Sequence, residues 1–208
     1  MAGMSTDYYR DIAGEVFAPL YPYYAGLIVE KTGIRAGRCL DAGCGGGHLG
    51  LALAEITDLD ICLLDQSSKA LDVARENITL RGLTSRTELI EASVESIPLP
   101  GDFIDMVVSR GSIPFWQNLA VAFREIMRVL KPGGQAYLGG GLGSAQMREQ
   151  IQRSMRERDP EWQKGTGRIP QRSVTEYSEA LLDAGIRNFN VEKGDEGTWI
   201  RFTKPPVQ

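Results

Sequence analysis

The 208-residue sequence holds a single histidine, His48, and only three cysteines, Cys39, Cys44 and Cys62. No pair of cysteines has CxxC spacing and no second histidine is available, which argues against a zinc centre and against a disulfide framework. Two of the cysteines lie in apolar runs that read as buried strands, where the residue acts as a small hydrophobe. Long hydrophobic runs are absent: none approaches the roughly 20 residues of a membrane span. The N-terminus shows no basic, apolar and small-residue signal pattern, so a cytoplasmic location without membrane contact is expected. An excess of positive charge is missing too. Lys and Arg number 23 against 27 Asp and Glu, a net charge of −4 that offers no general attraction to polyanions. The stretch from Arg148 to Arg172 leans basic, but Glu149, Glu157, Asp159 and Glu161 interleave with it, as on a solvated helix face. No repeat or low-complexity tract occurs, and no metal site is expected.

What is present is an alternation of strand and helix signals, which implies a mainly parallel sheet covered on both faces. Arg38–Asp41, Leu59–Asp65, Thr87–Glu91, Phe103–Ser109 and Gln135–Leu138 read as strands. Helices are expected from about Ala25 to Lys31, from His48 to Ile56, after a Ser67 or Ser68 cap, over Leu119–Leu130, and over Ala145–Arg158. Lys131-Pro132-Gly133-Gly134 should end the fourth of these sharply, and Gly139-Gly140-Gly141-Leu142-Gly143 should be a flexible joint. Ser173-Val174-Thr175-Glu176 is a capping-box signature for a last helix that stops at Gly185. Asn188–Lys193 and Thr198–Thr203 then flank a turn as a hairpin.

Leu40-Asp41-Ala42-Gly43-Cys44-Gly45-Gly46-Gly47 carries the chemistry. A strand feeding a glycine-rich turn and a helix lets backbone approach a nucleotide-like ligand at a helix N-terminus. Gly45, Gly47 and Gly50 spell GxGxxG, with Asp65 about 20 residues on, so a nicotinamide dinucleotide is permitted. Asp41 points elsewhere. An anion two residues before the first glycine would oppose a pyrophosphate and favour an ammonium group. Asp65, closing the second strand, suits ribose hydroxyls. Together they fit a ligand with an amino acid at one end and a ribose in the middle.

These residues resemble motif I of the class I S-adenosylmethionine-dependent methyltransferases. Leu64-Asp65-Gln66-Ser67 is similar to the acid that follows it. Glu91–Leu99 with Asp102–Ser109 resembles the adenine-side loop and fourth strand, and Phe123–Gly134 resembles the helix and turn before strand five. The match spans residues 37 to 141. A smaller archaeal and bacterial subgroup of unassigned substrate looks similar at Phe17–Pro22, Ser109–Ser112, Phe115-Trp116, Gly139–Gly141 and Asp195–Ile200.

The resemblance implies a doubly wound, Rossmann-like sheet of seven strands, mostly parallel with an antiparallel C-terminal strand and helices on both faces. It implies one domain: a helical lid over 1–36, a cofactor core over 37–141, a helical cap over 142–172, and a C-terminal helix and hairpin over 173–208. Its cofactor would be S-adenosyl-L-methionine, leaving as S-adenosyl-L-homocysteine. Gly43, Cys44, Gly45 and Gly47 would pass the methionine part, with Asp41 near its ammonium. Asp65 would hold the ribose and Gln66 lie beside the adenine. Ser93, Val94 and Glu95 would frame the adenine edge. Many relatives carry an acid where this chain has Ser93, so Ser93 or Glu95 would have to take the adenine amino group. Arg110, after the fourth strand, would face cofactor or substrate.

Methyl transfer is an in-line displacement, for which alignment and desolvation supply much of the rate. His48 and Arg110 are the weak candidates for a catalytic role; a polar cap is the plainer one for His48. The Asn/Asp-Pro-Pro-aromatic signature of amide and exocyclic-amine methylation is absent from Ser109–Trp116, and no RNA-binding module appears. A small-molecule acceptor is therefore expected, with an RNA or protein acceptor, or an NAD(P)-dependent oxidoreductase, as alternatives. Phe17 and Tyr21, with Tyr8, Tyr9, Tyr23 and Tyr24, would form one side of the acceptor pocket. Trp116 and the Arg148–Pro170 segment would form the other. Arg110 could pair with an acidic substrate there, or with a neighbouring acid.

Overall fold

The computed structural model describes residues 8–158 and 172–206, and the side chains from residue 12 onward within them. Trp162 and the Pro160–Pro170 part of the expected lid lie outside the described residues, as do the side chains of Tyr8 and Tyr9.

Seven strands form one sheet: β1 (Ala36–Ala42), β2 (Asp58–Asp65), β3 (Thr87–Glu91), β4 (Ile104–Arg110), β5 (Leu130–Gly140), β6 (Phe189–Gly194) and β7 (Gly197–Thr203). Their order is β3-β2-β1-β4-β5-β7-β6. The first five are parallel, and β7 runs antiparallel to both β5 and β6. The doubly wound expectation is met. Helices α1 (Leu20–Thr32), α2 (His48–Ile56), α3 (Ser68–Leu80), α4 (Leu119–Val129), α5 (Ala145–Arg158) and α6 (Val174–Asp183) cover it, preceded by a π-helical segment, Tyr8–Val16.

The strands read as continuous apolar runs because both faces are covered. Cys39, Ile61, Leu63, Met106 and Val108 face a core built with α1, α2 and part of α5. Their strand neighbours Leu40, Cys62, Leu64 and Val107 face a second core with α4 and α6. One residue of register separates the two sets, as the period of two requires.

Three local expectations are corrected. Helix α1 begins at Leu20, five residues before the expected start, because Pro22 falls in the first turn, where a missing N–H costs no intrahelical bond. The Lys131–Gly134 turn is part of β5, which starts at Leu130 as soon as α4 ends. There Gly133 N–H donates to Lys204 O and Lys204 N–H to Gly134 O, both at 2.9 Å, so the segment pairs instead of looping. The supposed joint at Gly139–Gly141 is packed structure. A Cβ on Gly139 would strike the Thr198 carbonyl and Trp199, and one on Gly141 would strike Glu196, so the glycines let the β6–β7 turn close on β5. The capping box appears as expected: Glu176 N–H donates to Ser173 Oγ at 3.1 Å and Ser173 N–H to Glu176 Oε2 at 2.7 Å.

Candidate functional site

The strand order reverses direction between β1 and β4, the place where an open α/β sheet leaves a crevice beyond the strands' carboxyl ends. The glycine loop rises there from β1. Gly43, Gly45 and Gly47 adopt φ of 72°, 55° and 76°, left-handed conformations that side chains strongly disfavour. Gly43 and Cys44 N–H both donate to Leu64 O, and Gly47 N–H donates to Cys44 O. The loop is thus wound on itself and tied to the end of β2.

Asp65 completes that tie. Its carboxylate is 1% exposed and accepts from Gly45 N–H at Oδ2 and from Ser67 N–H at Oδ1, each at 2.9 Å. Burial raises its pKa while these amide bonds lower it. A carboxylate has about four acceptor sites, more than these backbone bonds use, so acceptor capacity remains for a ligand. Asp65 lines a cavity of about 290 Å³, together with Gly43, Gln66, Ser93, Val94 and Glu95. Leu64, Ala92, Phe115 and Trp116 add apolar wall, and Ser112 and Gln117 add polar groups.

Ser93 and Glu95 are occupied differently from each other. Ser93 Oγ accepts from Glu95 N–H at 3.2 Å, a local turn. Glu95 Oε1 accepts from Gln117 N–H at 2.7 Å and Asn118 N–H at 3.0 Å, capping the start of α4 and joining the two rims of the cavity. Both line the cavity, but the Glu95 carboxylate already serves the opposite rim.

Asp41 is also 1% exposed but is not among the cavity-lining residues. Its Oδ2 accepts from Gly50 N–H in the first turn of α2 at 2.9 Å. Burial pushes its pKa up to about 7; the Gly50 bond opposes this and the charge on Asp65 adds to it. Burial likewise pushes the Cys44 thiol up, and its S–H faces the Gly45 carbonyl.

The residues expected to form the acceptor pocket fall into two groups. Trp116 belongs to the cavity, where its Nε1–H donates to Ser112 Oγ at 3.2 Å. Ser112 Oγ in turn bonds the Ala42 carbonyl and shares a 2.7 Å hydrogen bond with Ser109 Oγ. Phe17 and Tyr21 lie instead around Arg110, with ring centroids 5.5 and 5.2 Å from its guanidinium carbon. Tyr24 is the third ring, at 5.6 Å. His48 opens α2, is buried, and stacks on Tyr21 at 4.8 Å. Ser109, Ser112 and Phe115 entered the sequence reading only through the subgroup resemblance, without a role, and Gln117 was not singled out. Their signal was position, at and just after the end of the fourth strand.

The cavity suits a nucleoside. A buried carboxylate with unused acceptor sites matches a ribose diol, and the Leu64, Val94 and Trp116 surfaces match a planar base. A family model described as a methyltransferase domain matches residues 40–138. A crystal structure of an S-adenosyl-L-methionine-dependent methyltransferase from Methanococcus maripaludis is 35% identical, superposes with a TM-score of 0.90, and each chain covers 99% of the other. The chain belongs to the S-adenosylmethionine-dependent methyltransferases. Members of that family take S-adenosylmethionine as cofactor, and the cavity's donor set fits it. A rice 2-methyl-6-phytyl-1,4-hydroquinone methyltransferase is 35% identical over 132 residues, 63% of this chain and 36% of the relative. A ubiquinone/menaquinone biosynthesis C-methyltransferase of Francisella philomiragia is 30% identical over 110 residues, 51% of this chain and 44% of the relative. This chain therefore spans well under half the length of these curated relatives. Among the described residues, no helix is long and apolar enough to cross a membrane, and no group of His, Cys, Asp and Glu could hold a metal ion.

Proposed function

We propose that the protein transfers a methyl group from S-adenosylmethionine to a small-molecule acceptor by in-line displacement. The observation that carries this reading is the buried Asp65 carboxylate, anchored by Gly45 and Ser67 yet lining the cavity beside the glycine loop. Asp65 would hold the ribose hydroxyls, with Gln66 and Ser93 at the adenine edge and Val94 and Trp116 against its faces. Gly43, Cys44, Gly45 and Gly47 would follow the methionine part. Asp41, held near neutral pKa beside the loop, would ionise against its ammonium. When bound, the cofactor supplies an electrophilic methyl group on a sulfonium.

The chain's own contribution is alignment and dryness. Burial of Ser109, Ser112, His48 and Trp116 around the loop keeps water out, which strengthens every polar contact made there. His48 stacks on Tyr21 and so orders the wall; acid–base chemistry is not required of it for an acceptor that arrives unprotonated. The relatives named for hydroquinone and quinone methylation favour a small acceptor over RNA or protein.

The test is transfer of tritium from methyl-labelled S-adenosylmethionine to a metabolite extract and, separately, to protein and RNA from the same cells. Label in material below about 1 kDa supports the reading; label confined to macromolecules refutes it.

A further inference from the structure

Arg110 closes β4, and the pairing of Asp41 with Val108 sets it level with Gly43 across the switch point, on the β5 side. Its guanidinium stands among the Phe17, Tyr21 and Tyr24 rings. Rings satisfy a guanidinium through its faces and leave the edge N–H groups unspent. Here one edge bond is made, from Nη2–H to the Gly141 carbonyl at 2.9 Å. The Nε–H is buried without a partner. Among the described residues no carboxylate lies within 4.0 Å of the guanidinium.

A buried donor left unpaired is costly, and a half-buried cation with no counter-ion among the described residues adds to that. A ligand anion would relieve both, since a carboxylate matches the planar fork of arginine. Tyr21 lies between this cation and His48, the first residue after the glycine loop, so the anion would sit within a side chain's length of the reacting end of the site.

We infer that Arg110 receives a carboxylate of the methyl acceptor, so that the acceptor is a small organic acid. The inference rests on the small-molecule reading above. A carboxylate is also carried by the amino-acid end of the cofactor, and the two sources separate by experiment. Benzoate and its neutral isostere benzamide are titrated by calorimetry into wild type and Arg110→Gln, each saturated with S-adenosylhomocysteine. S-adenosylhomocysteine and 5′-methylthioadenosine, which lacks the amino acid, are titrated into both proteins alone.

The expected result is that wild type binds benzoate at least tenfold more tightly than benzamide, and that R110Q loses this preference. Both proteins should bind S-adenosylhomocysteine within about twofold of one another, which also shows that R110Q folds. If R110Q is not folded, R110K replaces it. That variant keeps the charge but not the fork, and should narrow the preference without reversing it. The assignment is overturned by three results: no benzoate preference in wild type, an undiminished preference in either variant, or a tenfold loss of S-adenosylhomocysteine affinity with 5′-methylthioadenosine unaffected. The last would give the carboxylate to the cofactor. None of these results depends on where the tritium label goes, so this inference and the small-molecule reading can fail separately.

Discussion

Gly45 N–H and Asp65 Oδ2 meet at 2.9 Å, joining the loop after β1 to the last residue of β2. Loop and acid, separated along the chain, are one unit in space, and the cavity opens beside them.

Replacing Asp65 with Asn keeps its size and leaves one acceptor oxygen. A hydrogen bond to a charged group contributes about 1.5–3 kcal/mol. S-adenosylhomocysteine should therefore bind D65N at least tenfold more weakly by calorimetry. Unchanged affinity would place the ribose elsewhere.

Glu95→Ala removes a carboxylate that caps α4 through Gln117 and Asn118. The expected loss is about 1–2 kcal/mol in urea unfolding, with weaker cofactor binding because the two rims come apart. Glu95→Gln retains an acceptor oxygen and should recover most of both. If alanine weakens neither stability nor binding, the clamp has no role.

Gly43→Ala meets two obstacles, a φ of 72° and the Ser112 side chain in the path of the new Cβ. Backbone strain of this kind costs of order 1–3 kcal/mol. The variant should melt lower than wild type. Adding Ser112→Gly should recover only the steric share, since the φ strain remains. Full recovery in the double variant would show that backbone conformation contributes nothing.

Asp41 gives a pH signature. Folded, it keeps its proton up to about pH 7; unfolded, it loses it near the ordinary aspartate value of about 4. Between those limits the native state binds more protons, so its contribution to stability is full at low pH and is lost as pH rises through 7. The slope is at most about 1.4 kcal/mol per pH unit. Cofactor-free wild type should lose stability relative to Asp41→Asn on going from pH 5 to pH 8 in denaturant titrations. A constant difference between the two proteins would contradict the raised pKa.

Much of this was legible because periodicity and glycine chemistry are local. Strand positions, the capping box at Ser173 and the paired acids at Asp41 and Asp65 could all be read from neighbours in sequence. The failures share a cause. Lys131–Gly134 looks like a turn until Lys204 pairs with it, and Gly139–Gly141 looks flexible until the β6–β7 turn packs against it. That Glu95 Oε1 also accepts from Gln117 and Asn118 on the opposite rim was not readable from spacing. Trp116 and Tyr21, both aromatic and both expected in the acceptor pocket, divide between the cavity and the Arg110 cluster. Each of these depends on a partner distant in sequence, which spacing cannot disclose.

The claim that the Asp65 cavity holds S-adenosylmethionine is tested most directly by calorimetric titration of S-adenosylhomocysteine and NAD⁺ into the full chain. Saturable one-site binding of S-adenosylhomocysteine, with no heat from NAD⁺, is the predicted result. Binding of NAD⁺ without S-adenosylhomocysteine would contradict it.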